Sequence, residues 1–296
     1  MPVLSASTWG ALCAAACALS WTIIGLLVRA LSPSFNSVTL NAVRSALGGA
    51  VILTWVVATD GLATLTTMSP KAWLLLSASV LMAVGVGDTV FFESTRMLGL
   101  ARAMTVSMTY PLIAAVLAAG VLGEALTPRI GLGALLTLGG LVLTVWSKPT
   151  DSGADSQFGR GIGAATLASL AWAVSVVLLK PSLSEVDEVR AQAVRLPVAA
   201  ALLWATPWTW SAGSAMARHG AGALWRLLAL GGLTAVSSIL FVAGVRYAGV
   251  AVGTVLSSTA PLFAMPLRFL FLRERVEPMA VVGAAITILG IAVLQL

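Results

Sequence analysis

From Trp9 to the C-terminus, apolar runs of about 20 residues follow one another almost without interruption, and a helix of that length crosses a hydrocarbon core of about 30 Å. Only 9% of the 296 residues are charged and 59% are hydrophobic, with a mean hydropathy of +0.99, where a soluble globular chain carries roughly 25% charged residues. Such a surface needs lipid around it. The sequence therefore predicts an all-α, polytopic integral membrane protein with little chain left for a soluble catalytic domain.

Breaks at charged, Pro- and Gly-containing stretches divide the chain into ten transmembrane helices, near 8–28, 35–58, 72–92, 101–122, 130–147, 161–180, 189–208, 227–245, 251–272 and 279–296. The first run ends at Arg29 with no basic leader and no clear cleavage signal, so it reads as a retained helix. The longest polar interruption, KPTDSGADSQFG from Lys148 to Gly159, is acidic and lacks apolar period. It separates residues 1–147 from residues 161–296, with 148–160 as linker.

The two halves are copies of each other. At a constant offset of 150, Arg96 falls on Arg246, Gly99 on Gly249, Ser107 on Ser257, Pro111 on Pro261 and Glu124 on Glu274, and the register holds through Pro128 and Pro278 to Gly140 and Gly290. Earlier helices agree with small slips: Trp21 aligns with Trp172, Arg29 with Lys180, and Ala42-Val43-Arg44 with Ala193-Val194-Arg195. A duplicated five-helix unit must enter the membrane from opposite sides, because five is odd. The prediction is two inverted repeats about a pseudo-twofold axis in the membrane plane, an architecture characteristic of secondary transporters.

The segments RMLGLARAMTVSMTYPLIAAVLAAGVLGEALTP and RYAGVAVGTVLSSTAPLFAMPLRFLFLRERVEP each place an Arg before a small-residue helix, a Pro at its centre and a Glu near its end. Together with Trp21 and Trp172, and with Arg44 and Arg195, they resemble the drug/metabolite transporter superfamily, in its ten-helix form built from two EamA domains. The resemblance covers nearly the whole chain. It implies export of a small metabolite, an amino acid or similar solute, by alternating access, in a bacterial plasma (inner) membrane with both termini cytoplasmic. Loop Lys and Arg residues, counted on the two sides, favour the opposite orientation; the family arrangement is adopted here.

Asp88, within VGVGDTVFF deep in the third helix, is the strongest single candidate, since a bare carboxylate near the bilayer centre costs several kcal/mol. Val84, Gly85, Phe91 and Phe92 occupy the neighbouring helical positions, so a counter-charge must come from another helix, with Arg44 and Arg195 the available cations. Asp88 is either a proton or solute-amine site or half of a permanent ion pair. No acidic residue takes its place in the second half, where Ser238 or Leu240 stands. Arg44 and Arg195 are either architectural or a fork for an anionic solute group. Trp21 and Trp172 supply either π contact to a solute or packing bulk. Pro111 and Pro261 are expected mid-helix, where freed carbonyls beside Ser107, Tyr110, Ser257 and Ser258 make either a polar cavity lining or a simple kink.

Other classes lack their parts. The 17 Lys and Arg lie singly or in pairs between apolar runs, without the basic stripe a nucleic acid needs. No phosphate-cradling loop, zinc-protease motif or nucleophile elbow is present, His219 reads as a solvated loop residue, and Cys13 and Cys17 make a poor metal set. Neither enzyme nor cofactor nor metal is expected. The expected partners are a small solute, lipid and a proton as coupling ion, with the chain acting as a monomer. The alternative is a membrane sensor or assembly scaffold that keeps this fold without transporting.

Overall fold

The computed structural model describes residues 5–31, 34–98, 103, 106–107, 109–145, 155–210, 220–260, 262–263 and 278–295, and among them there is no strand. In the first repeat α1 spans Ala6–Leu31, α2 Ser37–Thr59, and the short α3 Ala63–Thr66. The next span is composite: α4 (Pro70–Val80) runs through a π-helical stretch, Leu81–Asp88, into α5 (Thr89–Leu98). α6 (Tyr110–Leu122) and α7 (Pro128–Val145) complete the repeat. The second repeat has α8 (Asp155–Ser182), α9 (Glu188–Trp204), α10 (Gly220–Ser257) and α11 (Pro278–Gln295).

The starts of these helices are written into the sequence. Asn36 Oδ1 accepts from Thr39 N at 2.8 Å to cap α2, and Asp187 Oδ1, its counterpart in the duplicated register, accepts from Arg190 N at 2.8 Å to cap α9. Ser69 Oγ caps α4 ahead of Pro70, and Thr127 Oγ1 accepts from Ile130 N ahead of Pro128 at the start of α7. Each such cap stabilises by about 1 kcal/mol, and Pro in a first turn gives up no hydrogen bond.

Pro111 follows the same rule. It was expected inside a helix, but it lies in the first turn of α6, two residues after Thr109, where the helix asks for no donor from it. Its counterpart Pro261 lies outside the described residues. A true interruption occurs instead at Gly249, whose φ of +84° breaks α10 between two spans and which only a residue without Cβ adopts at little cost.

Helix pairing obeys the pseudo-twofold. α1 packs along α10, and its counterpart α8 packs along α4, the π segment and α5; α2 meets α9, and α7 meets α11, each with its own symmetry mate. The α7–α11 seam is a small-residue contact: a Cβ on Gly140 would lie 2.5 Å from Gly283 O, and the fully buried Thr137 and Thr287 face each other, Thr287 Oγ1 donating to Thr137 O at 3.4 Å. The pairs are antiparallel. Gly10 abuts Ala248 and Gly133 abuts Leu294, which brings the starts of α1 and α7 to the same end of the bundle as the first break of α10 and the close of α11. Two five-helix repeats thus traverse the membrane in opposite senses.

The largest buried apolar cluster joins α2, α4, α6, α8, α9 and α10, with Leu76, Leu179, Val194 and Val242 at its centre. Large apolar side chains on the outside, among them Trp55, Leu74, Val116, Leu135 and Ile288, are exposed by more than half and face where lipid would lie.

Candidate functional site

Asp88 closes the π-helical stretch, and the wider turn there turns its carboxylate into the bundle. Arg44, from α2, donates through Nη2 to Asp88 Oδ2 at 2.8 Å, with both side chains largely buried at 8% and 13% exposure. Asn41, one turn earlier on α2, receives the Arg44 Nε hydrogen bond on its Oδ1 and donates through Nδ2 to the same Asp88 oxygen at 3.4 Å. The other carboxylate oxygen is held from the opposite repeat: Trp172 Nε1, on α8, donates to Asp88 Oδ1 at 3.0 Å and to Ala83 O at 3.2 Å. Both oxygens of a buried anion are therefore partnered, which is what makes burial tolerable.

An aromatic wall surrounds this pair. The Trp172 ring lies 5.2 Å from Phe91 in a tilted contact and 5.7 Å from Tyr110 edge-on, while the Arg44 guanidinium sits 5.0 Å above the Trp21 ring of α1. Gly87 makes the approach possible, because a Cβ there would lie 2.5 Å from Cδ1 and Nε1 of Trp172. Asp88, Arg44, Trp21, Trp172 and Tyr110, five residues singled out in the sequence, meet in one cluster built from α1, α2, the π segment, α6 and α8.

Of the remaining described candidates, Ser258 borders it through a hydrogen bond with Tyr110, and the others stand apart. Ser107 Oγ donates to Ala165 O at 3.4 Å, tying its segment to α8. Ser257 and Ser258 turn their hydroxyls back onto Gly253 O and Thr254 O of their own helix, at 2.7 and 2.8 Å. Pro111 begins α6 beside Tyr110. Arg195 stays apart from Asp88, buried at 5% exposure with no hydrogen bond and no acidic partner among the described residues. Asn41 escaped the sequence reading, although its place three residues before Arg44, matched by Gln192 before Arg195, was a visible signal.

A second polar layer closes the end of the bundle where α2 finishes and α4 begins. Glu124 pairs with Lys180 at 3.4 Å, and its other oxygen accepts from Val250 N at 2.8 Å, capping the helical stretch that restarts after Gly249. Arg190 reaches Asp60 at 2.9 Å and Asp187 at 2.7 Å, Glu185 accepts from Ser69 Oγ at 2.7 Å, and Arg246 donates to Val186 O at 2.7 Å. Four of these links, Glu124–Lys180, Glu124–Val250, Asp60–Arg190 and Ser69–Glu185, join one repeat to the other.

The model of the EamA-like transporter family matches residues 8–146 and again residues 159–296, one copy per repeat. The chain belongs to the EamA-like transporter family. This places it in the drug/metabolite transporter superfamily, and members of the EamA family are transporters. No curated protein matches it. Among solved structures, one crystal structure superposes with a TM-score of 0.78 over 98% of this chain and 98% of its own, at 21% identity, a likeness that shows the shared fold.

Proposed function

We propose that this chain is a secondary transporter that exports a small metabolite by alternating access, with the Asp88 cluster as its solute or coupling site. The observation that carries the reading is that Asp88 of the first repeat is held by Arg44 of its own repeat and by Trp172 of the other. Rocking one repeat against the other must stretch the Trp172 bond, and a carboxylate that loses a donor in low dielectric gains reason to take up a proton or a solute cation. Trp21, Phe91, Trp172 and Tyr110 supply the apolar contact that orients a small solute beside it.

In this reading the cross-repeat pairs at Glu124, Lys180, Asp60 and Arg190 close one entrance, and they separate when the solute passes that way. With the family orientation, that entrance faces the cytoplasm of a bacterium, residues 1–147 and 161–296 act as the moving units, and the chain works as a monomer. A second reading draws on the completeness of the Asp88 network: a fully partnered ion pair also suits a scaffold that never cycles.

The experiment that separates them is uptake into proteoliposomes of labelled amino acids, nucleosides and cationic drugs, with and without an imposed pH gradient, for wild type and Asp88→Asn. Accumulation that follows the gradient and disappears in Asp88→Asn supports proton-linked transport through this carboxylate. Gradient-independent exchange that survives the substitution makes Asp88 structural.

A further inference from the structure

The pseudo-twofold relates two polar poles that are not equally complete. At the first, Asn41 and Arg44 on α2 hold the Asp88 carboxylate. At the second, Gln192 and Arg195 stand at the matching positions of α9, and the position matching Asp88 at the offset of 150 is Ser238 on α10. The pole keeps a link to the matching helix: Gln192 Nε2 donates to the backbone carbonyl of Ser238 at 2.9 Å, where Asn41 Nδ2 donates to the Asp88 side chain. The carboxylate is missing. Ser238 Oγ cannot stand in for it, because it donates to Ala235 O of its own helix at 2.9 Å.

The Arg195 donor that would receive the carboxylate is left over. Arg195 is buried at 5% exposure and Gln192 at 2%, and the Arg195 Nε and Gln192 Oε1 are both buried without a hydrogen-bond partner among the described residues. Among the described residues no acidic side chain pairs with Arg195, whereas Arg44, Lys180, Arg190 and Arg246 each have one. A buried guanidinium without an acidic partner is costly, and its planar fork matches a carboxylate. At the first pole the protein satisfies that demand from its own chain.

We propose that the Arg195 and Gln192 pole is a carboxylate-binding site, completed by a small carboxylic acid that takes the place Asp88 fills at the other pole. Arg195 holds the anionic oxygens, and Gln192, through its hydrogen bond to Ser238, fixes α9 against α10 beside them. Assigning that carboxylate to the transported solute rests on the transport reading above, and it makes the solute a carboxylate-bearing metabolite such as an amino acid. Binding itself does not rest on that reading.

The test is thermal unfolding of the purified full-length protein in lipid nanodiscs, followed by tryptophan fluorescence, in added sodium acetate against the same concentration of added sodium chloride. Acetate is expected to raise the melting temperature saturably by a few degrees above chloride for wild type, as a ligand of the folded state does. Arg195→Gln is expected to lose the response. Ser238→Asp, which supplies the missing carboxylate from the chain, is expected to melt higher without acetate and to lose the response too. Asp88→Ala serves as the measure of sensitivity: it empties the first pole, where acetate should restore stability. A wild type that responds equally to chloride and acetate, or a response undiminished in Arg195→Gln, overturns the assignment. Solute uptake in proteoliposomes separates the two claims: uptake with no acetate response removes this site and leaves transport standing, whereas an acetate response without uptake of any solute does the reverse.

Discussion

Trp172 of the second repeat donates its indole N–H to the Asp88 carboxylate of the first at 3.0 Å, so a buried charge of one repeat is satisfied in part by the other. Replacing Trp172 with Phe keeps an aromatic ring against Phe91 and Tyr110 and removes the donor. The expected loss is about 2 kcal/mol of stability, the range for a hydrogen bond to a charged group, with a larger proportional loss of solute flux. Unfolding titration in detergent measures the first quantity, and an unchanged midpoint would show that the bond contributes nothing.

Gly87 is the reason that donor can reach Asp88. Gly87→Ala places a methyl group 2.5 Å from the Trp172 ring atoms, and overpacking of this kind costs roughly 1–3 kcal/mol. Gly85→Ala, two residues away, meets only the flexible end of Leu81 at 3.0 Å and should be milder. Parallel melting curves of the two variants check the ordering; equal effects would place the constraint in the π-helical backbone and not in the Trp172 contact.

Arg44 and Asp88 are expected to be strongly non-additive. Arg44→Gln leaves a buried carboxylate with only neutral donors and should cost about 3–5 kcal/mol, while the double variant Arg44→Gln, Asp88→Asn should recover much of that loss. The double-mutant cycle reads the coupling directly. Additive losses would mean that the two charges are already screened from each other by water.

Glu124 connects Lys180 to the restarted helix after Gly249, and in the proposed transport cycle this link holds one entrance shut. Glu124→Gln weakens both contacts. A cysteine placed at the buried Ala251, in a background lacking Cys13 and Cys17, should then react several-fold faster with a membrane-impermeant maleimide. No change in rate would assign Glu124 a purely local capping role.

Much of this arrangement was readable in the chain before its coordinates. Composition and apolar run length fixed the environment, and the offset of 150 with an odd helix count dictated the inversion. Asp88 stood out because nothing within its own helix could pair with it, and Arg44 was one of two cations available. What chose Arg44 over Arg195 was the packing of α2 against the π segment, which no local pattern announces. The π-helical turn at Leu81–Asp88 was equally hidden; Gly85 and Gly87 hint at looseness there but do not specify a wider ladder. The depth of Trp172 in the membrane left it open between contact with a solute and packing bulk, and its donation to Asp88 depends on how the two repeats dock. Pro111 misled for a local reason: the residues around it are apolar enough to continue a helix, and the break at Thr109 that relieves the Pro is a tertiary choice.

The central claim is that this bundle carries a solute, and counterflow tests it most directly. Proteoliposomes loaded with excess unlabelled solute are diluted into a trace of the same labelled solute, across a panel of amino acids, nucleosides and cationic drugs. The account predicts a transient overshoot of label for at least one carboxylate-bearing solute, abolished in Asp88→Asn and in Arg44→Gln variants that remain folded. Flat traces across the panel from folded, correctly inserted wild type would contradict it and favour a scaffold that never cycles.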